Sequence, residues 1–167
     1  MNNSLPDLAN EQSARTQFLR TIKQMEGAAI LLREKNDGRF EAIFVSRNFA
    51  RLMQCTISYA MKFLNERSVV VFTHPDDRLA VRRMLRRRVS EESTKDLTIR
   101  HVTAKGNVVW CNVNYAFIDD FGEHYVYCTF FDVTPVKIYA QRLQKTYMTI
   151  GDNVQIHDRN NRIYQEG

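Results

Sequence analysis

Apolar residues recur along this chain in two rhythms, one of three to four residues and one of two, and each change of rhythm marks an element. Ala14, Phe18, Leu19, Ile22 and Met25 fall at helical spacing, with Gly27 as a stop. They predict an amphipathic helix from residue 10 that closes an N-terminal extension, 1–26. Strand-like runs at 28–33 and 40–46 flank Asp37-Gly38, a strong turn signal, and predict an antiparallel hairpin. Ser46 is placed to cap a short helix through residue 53, and residues 58–64 form a second short helical piece. Pro75, followed by Asp76 and Asp77, suits a first helical turn, where negative charge complements the helix end, so a longer helix is expected to about residue 89. Runs at 96–103, 107–118 and 124–132 predict three strands in an antiparallel meander.

Pro135 opens a final helix, 135–150, on which Val136, Ala140, Leu143, Tyr147 and Ile150 alternate steps of four and three. That is a coiled-coil-like seam about two heptads long, short enough that docking onto its own domain is a rival reading. Residues 151–167 read as a short strand, a turn at Asp158-Arg159-Asn160-Asn161 and another strand, a tail or the start of a further domain. The order of elements gives an α+β fold: one antiparallel sheet with short helices over one face, and the terminal helices as natural cover for the other.

Length agrees with one domain plus extensions: 167 residues, 44% hydrophobic and 26% charged, is ordinary globular usage with enough apolar mass for a core. No run approaches the length needed to span a bilayer, and the first residues lack the basic and apolar regions of a secretory signal, so a cytoplasmic location is the default expectation. Cys55, Cys111 and Cys128 form no CxxC pair and read as reduced, partly buried thiols. The net charge of +5 permits anionic partners. Its densest source, Arg82-Arg83-Met84-Leu85-Arg86-Arg87-Arg88, resolves into an arginine face opposite Val81, Met84, Leu85 and Val89. No aromatic residue is interleaved with it, so it reads as a solvated face and nucleic acid is not the expected partner.

Candidate chemistry is sparse. His74 stands beside two carboxylates but reads as a structural residue of the turn they open. His101, His124 and His157 have no metal-ligand spacing to one another or to a cysteine, so neither haem nor zinc is indicated. No GxGxxG, GxSxG or paired-carboxylate arrangement occurs, and no enzymatic activity is expected. In the strands, Val109, Cys111, Val113, Tyr115 and Phe117 oppose Trp110, Asn112 and Asn114, and Tyr125, Tyr127, Thr129 and Phe131 oppose Val126, Cys128 and Phe130. Both faces carry apolar mass, so alternation alone leaves the inward face open.

Four strings in order resemble the PAS domain family, in its common bacterial sensory form, over about residues 27–150. Val45-Ser46-Arg47-Asn48-Phe49-Ala50-Arg51-Leu52 resembles the passage from the opening hairpin into the first helix. His74-Pro75-Asp76-Asp77-Arg78 resembles the HPDD helix opening. Lys105-Gly106 with Trp110 resembles the later hairpin, and Asp132-Val133-Thr134 with Lys137 the exit into an output helix. The chain departs from the pattern at Gln54-Cys55, where a glycine is common, and residues 54–67 match loosely.

The resemblance implies a PAS domain at 27–134, a five-stranded antiparallel sheet whose helix-covered face encloses a small cavity. Phe44, Met53, Met61, Phe63, Phe72, Tyr115 and Tyr127 are the candidate lining of a small-molecule site. It further implies a sensory module that relays ligand, redox or partner binding through its last helix to an effector domain in the same polypeptide, such as a diguanylate cyclase, phosphodiesterase or histidine kinase. Motifs of those effectors are absent from this chain. Val136, Ala140, Leu143 and Tyr147 would form the output seam and a homodimer interface. The Asn-Cys-Arg-Phe string of the light-sensing flavin relatives is absent, so no cofactor is indicated. The alternative is a constitutive dimerisation or scaffold module that binds no ligand.

Overall fold

The computed structural model describes residues 16–17, 20–21, 27–86, 95–120 and 122–162, with residues 95 and 150–162 described by backbone only. Of the N-terminal amphipathic helix, residues 16–17 and 20–21 are helical and the rest lies outside the described residues.

Five strands, β1 (Ala28–Glu34), β2 (Phe40–Val45), β3 (Lys95–Val102), β4 (Val108–Asp120) and β5 (Glu123–Asp132), form one antiparallel sheet in the order β2-β1-β5-β4-β3. The expected hairpin and meander are both present, and the meander's last strand closes against β1. β1 is therefore interior, and its run Ala29-Ile30-Leu31-Leu32 is buried on both faces. Between β1 and β2 lies a turn in which Gly38 takes φ 74°, a conformation open to glycine at no steric cost.

Helices α1 (Arg47–Leu52) and α2 (Ile57–Glu66) follow β2. Ser46 caps α1 as expected, and its hydroxyl does more: it accepts from Phe49 N at 3.1 Å and Ala29 N at 2.8 Å and donates to the Gly27 carbonyl at 2.8 Å. One buried hydroxyl thus fixes the start of α1 to the start of β1. At the other end of α1, Gln54 occupies the position where a glycine is common, with φ 56°. Its Oε1 accepts from Thr103 Oγ1 at 3.0 Å and Asn107 Nδ2 at 2.8 Å, tying the helix end to the β3–β4 turn. Asn65 of α2 pairs with both backbone groups of Ala42, at 2.7 and 3.0 Å, and so caps part of the β2 edge.

A 3-10 turn, Pro75–Asp77, leads into α3 (Arg78–Arg86). The expected single helix from 75 is thus a turn followed by a helix, and residues 87–94 lie outside the described residues. Val81 and Leu85 are buried, whereas Arg82, Arg83 and Arg86 are exposed, so the arginine face faces water.

The last helix, α4, spans Thr134–Arg162, 29 residues and about 43 Å at 1.5 Å per residue. The first short strand and the turn expected after residue 150 are replaced by helix, which continues through Gly151, Asp152 and Asn153 to Arg162, where the second strand was expected to begin. Extending an existing helix needs no new nucleus, and Val154 continues the four-and-three spacing beyond Ile150. Residues 163–167 lie outside the described residues.

Candidate functional site

The main core lies between the sheet and the short helices. Ile30, Leu32, Ile99, Cys111, Val113, Val126, Cys128 and Phe130 supply the sheet side, and Phe49, Met53, Ala60, Leu64 and Phe72 the helical side. This settles the face that alternation left open: odd-numbered residues of β4 and even-numbered residues of β5 point inward. Of the candidate lining residues, Met53 and Phe72 are buried in this cluster and Met61, Phe63 and Tyr115 pack against it.

Phe44 and Tyr127 do not belong with them. Both pack on the opposite face, against Leu31 and Tyr125. For Phe44 the cause is a β-bulge: Leu31 pairs with Phe44 but Leu32 with Ala42, so the alternation that would have turned Phe44 inward shifts by one. For Tyr127 the cause is register, because Tyr115 pairs with Cys128 and Tyr127 with Ala116.

The residue that holds the centre is Phe49, whose ring lies 4.8 Å from Phe130 and 6.0 Å from Phe72, both edge-on. It stands inside a string already singled out, but a helical phenylalanine carries no sign of which neighbours it will meet. His101 also faces this core. Its ring lies edge-on to Phe130 at 5.4 Å, it is 4% exposed, and its Nδ1 finds no hydrogen-bond partner among the described residues. Burial drives its pKa down to about 4, against a smaller opposing pull from Asp77, so the ring is neutral at ordinary pH.

Two clefts among the described residues lie at the margins. One of about 590 Å³ sits at the β1–β2 and β4–β5 turns, where Arg33 is hydrogen-bonded to Glu41 and Lys35 lies 3.0 Å from the same carboxylate. The other, about 280 Å³, opens beside β2 onto Phe40, Leu64 and Val69.

The flavin chemistry of light-sensing relatives does not fit the thiols present. Cys111 and Cys128 are inward strand residues whose pKa burial pushes up to about 12, and burial also raises that of the half-buried Cys55. No group of three or more metal-ligating side chains occurs among the described residues.

The outer face of the sheet carries a second arrangement where α4 leaves the domain. His74 N donates to Arg100 O at 2.9 Å and Val102 N to Phe72 O at 2.7 Å, so the turn before α3 is laid along β3. The His74 Nδ1 accepts weakly from Asp76 N at 3.4 Å, which keeps this histidine within the turn. Asp77 takes three hydrogen bonds from Arg100, from its backbone N at 2.8 Å, Nε at 3.0 Å and Nη2 at 2.7 Å, and Asp76 receives Nη2 at 3.2 Å. The Arg100 guanidinium holds the Asp77 carboxyl below its ordinary range.

Arg100 is the cross-strand partner of Trp110, and its guanidinium carbon lies 5.6 Å from the indole centroid. Lys137, in the first turn of α4, places Nζ 5.3 Å from the same ring. The backbone of Trp110 is engaged as well: its N donates to Thr134 Oγ1 at 2.8 Å and its O accepts from Val133 N at 2.8 Å. Asp132 Oδ1 accepts from Thr134 N at 2.9 Å. Beyond this junction α4 leaves its own domain. Val136, Ala140, Leu143 and Tyr147 are all exposed, and so are Tyr139 and Met148.

A family model described as a PAS domain matches residues 27–135. Among solved structures the chain is similar to a LOV protein of Rhodobacter sphaeroides, at TM-score 0.57 and 10% identity, covering 72% of this chain and 68% of that one. It is similar to the PAS domain of an HTR-like protein from Haloarcula marismortui, at TM-score 0.53 and 16% identity, covering 76% and 96%. It is also similar to a sensory box histidine kinase/response regulator from Burkholderia thailandensis, at TM-score 0.51 and 19% identity, covering 83% and 98%. A search of curated proteins finds no match. No described helix is long and apolar enough to cross a membrane.

Proposed function

Because the chain belongs to the PAS domain family over residues 27–135, we propose that it is a sensory or regulatory module of a signal-transduction protein, with no chemistry of its own. The observation that carries this reading is the last helix. A 29-residue helix whose Val136, Leu143 and Tyr147 are exposed has left its apolar seam for another surface. A second copy of the same helix fits, because steps of four and three bring such a seam to face its like in a coiled coil. In this reading a ligand, redox event or partner shifts the packing of the sheet against the helices, and α4 passes the change to an effector such as a histidine kinase or diguanylate cyclase in the same polypeptide. A ligand does so only through differential affinity for two packings. The protein would work in the cytoplasm.

The candidate ligand site is the face holding Met53, Met61, Phe63, Phe72 and Tyr115. A second reading, a constitutive dimerisation or scaffold module, is favoured by the packing there: Phe49, Met53 and Phe72 are at most 3% exposed. Native mass spectrometry of freshly purified protein separates the two. A dimer carrying an extra mass that leaves on mild activation supports the sensor. A dimer of bare chains that also fails to take up small molecules in a ligand screen supports the scaffold, and a bare monomer at high concentration overturns the dimer in both.

A further inference from the structure

Two cations over one indole repel each other unless something compensates their charge. At Trp110 the compensation is visible. Arg100 approaches the ring from β3 while both Asp77 and Asp76 hold its guanidinium, and Lys137 approaches from the root of α4. We propose that Asp77, Arg100, Trp110 and Lys137 form a charge-balanced clasp that fixes the root of α4 to the sheet, so that the turn before α3 and the output helix control one another through these side chains.

Loss of the Asp77 charge leaves Arg100 uncompensated beside the indole, which repels the Lys137 ammonium and loosens the first turn of α4. By linkage, release of Lys137 must weaken the hold of Arg100 on the Asp77 turn by the same factor. The turn is well placed to feel the interior, because Phe72 and Thr73, immediately before it, are buried, and Thr73 bridges to His101 on β3. Movement of that segment therefore reaches α4 through side chains rather than through the sheet as a whole. The geometry of the clasp stands apart from what occupies the core. Its role in signalling rests on the sensor reading above, and the two can fail separately.

Trp110 is the chain's single tryptophan, so its fluorescence reports the clasp directly. Lys137→Met keeps the alkyl stem over the ring and removes only the charge. In ligand-free protein this variant should shift the ratio of docked to undocked helix root by about two- to five-fold, the scale of one cation–π contact at a partly exposed site. The shift would be read as increased acrylamide quenching and faster amide exchange over residues 138–149.

Asp77→Asn should raise both signals as well, and adding Lys137→Met to it should raise them little further, because the two substitutions break the same clasp. Asp76→Asn, at an exposed carboxylate that contributes charge but not the turn's backbone bonds, should give a smaller change of the same sign with the melting temperature preserved. Equal effects of Lys137→Met in the native and Asp77→Asn backgrounds would overturn the proposal, as would quenching that ignores Asp76→Asn. Whether a ligand exists is decided by the mass measurement, which these variants leave untouched.

Discussion

His101 should make the fold acid-sensitive in a pH window that, among the described residues with shifted protonation, belongs to it alone. Its folded pKa is about 4 against an ordinary value of 6.5, because the core disfavours the charged ring. For a base depressed in this way the unfolded chain takes up the proton first. Stability is therefore full above pH 6.5 and falls as pH drops from there through the folded pKa. Linkage between 6.5 and about 4 gives a loss of about 2 kcal/mol between pH 7.5 and pH 5, approaching about 3 kcal/mol below pH 4. For a domain of this size the first figure is about 4–8 °C in melting temperature. Asp77, whose charge acts on His101, and Glu41 are held below their ordinary 3.8 and 4.5, so their contributions are intact above those values and lost only beneath them. Urea titrations followed by circular dichroism at pH 7.5, 6 and 5 would measure the slope. His101→Leu, which keeps apolar bulk beside Phe130 and removes the titrating group, should flatten it. A native protein and a His101→Leu variant that lose stability in parallel across this window would refute the reasoning.

Ser46→Ala removes a helix cap and leaves Ala29 N without its acceptor, so a loss of about 2 kcal/mol or more is expected in the urea midpoint, and a loss within experimental error would show that α1 does not depend on the cap. Gln54→Gly relieves a positive φ, a gain of about 1 kcal/mol, but removes two hydrogen bonds to the β3–β4 turn, so the expected net result is a loss of about 1 kcal/mol. A more stable Gln54→Gly variant would mean that backbone strain, not the tie to Thr103 and Asn107, dominates there. Leu143→Lys puts a charge in the middle of the exposed seam and should convert the proposed dimer to monomer in light scattering, and a dimer that persists in the variant would place the interface elsewhere.

Most of the architecture was legible because its signals are local. Ser46 as a cap, Asp37-Gly38 as a turn and the two-residue rhythm of β4 and β5 each act within a few residues, and all reappear where the sequence put them. The end of α4 was not legible in the same way, because Gly151, Asp152 and Asn153 are poor helix formers read alone. Their conformation is set by the helix already running into them, so a local reading stops one step early.

The candidate site divides along the same line, and the division lies in register. In a hairpin without irregularity, partners follow by counting outward from the turn: Val102 opposite Val108 places Arg100 opposite Trp110, and Asp120 opposite Glu123 places Tyr115 opposite Cys128. Both the Arg100–Trp110 contact and the exclusion of Tyr127 from the core face were thus derivable once the turns were placed. The same counting fails in β1–β2, where the bulge between Leu31 and Leu32 turns Phe44 outward, and nothing in Phe40-Glu41-Ala42-Ile43-Phe44 announces it. The acids after Pro75 show the opposite limit. Helix-end electrostatics account for two carboxylates there, but they do not distinguish Asp76, largely in solvent, from Asp77, which is bound three times by an arginine 23 residues away. That difference arises only when the turn is laid along β3. In the proposed clasp it makes Asp77 the member of the pair whose charge is felt more strongly at Lys137, and so the position at which a signal crossing to α4 would be interrupted first.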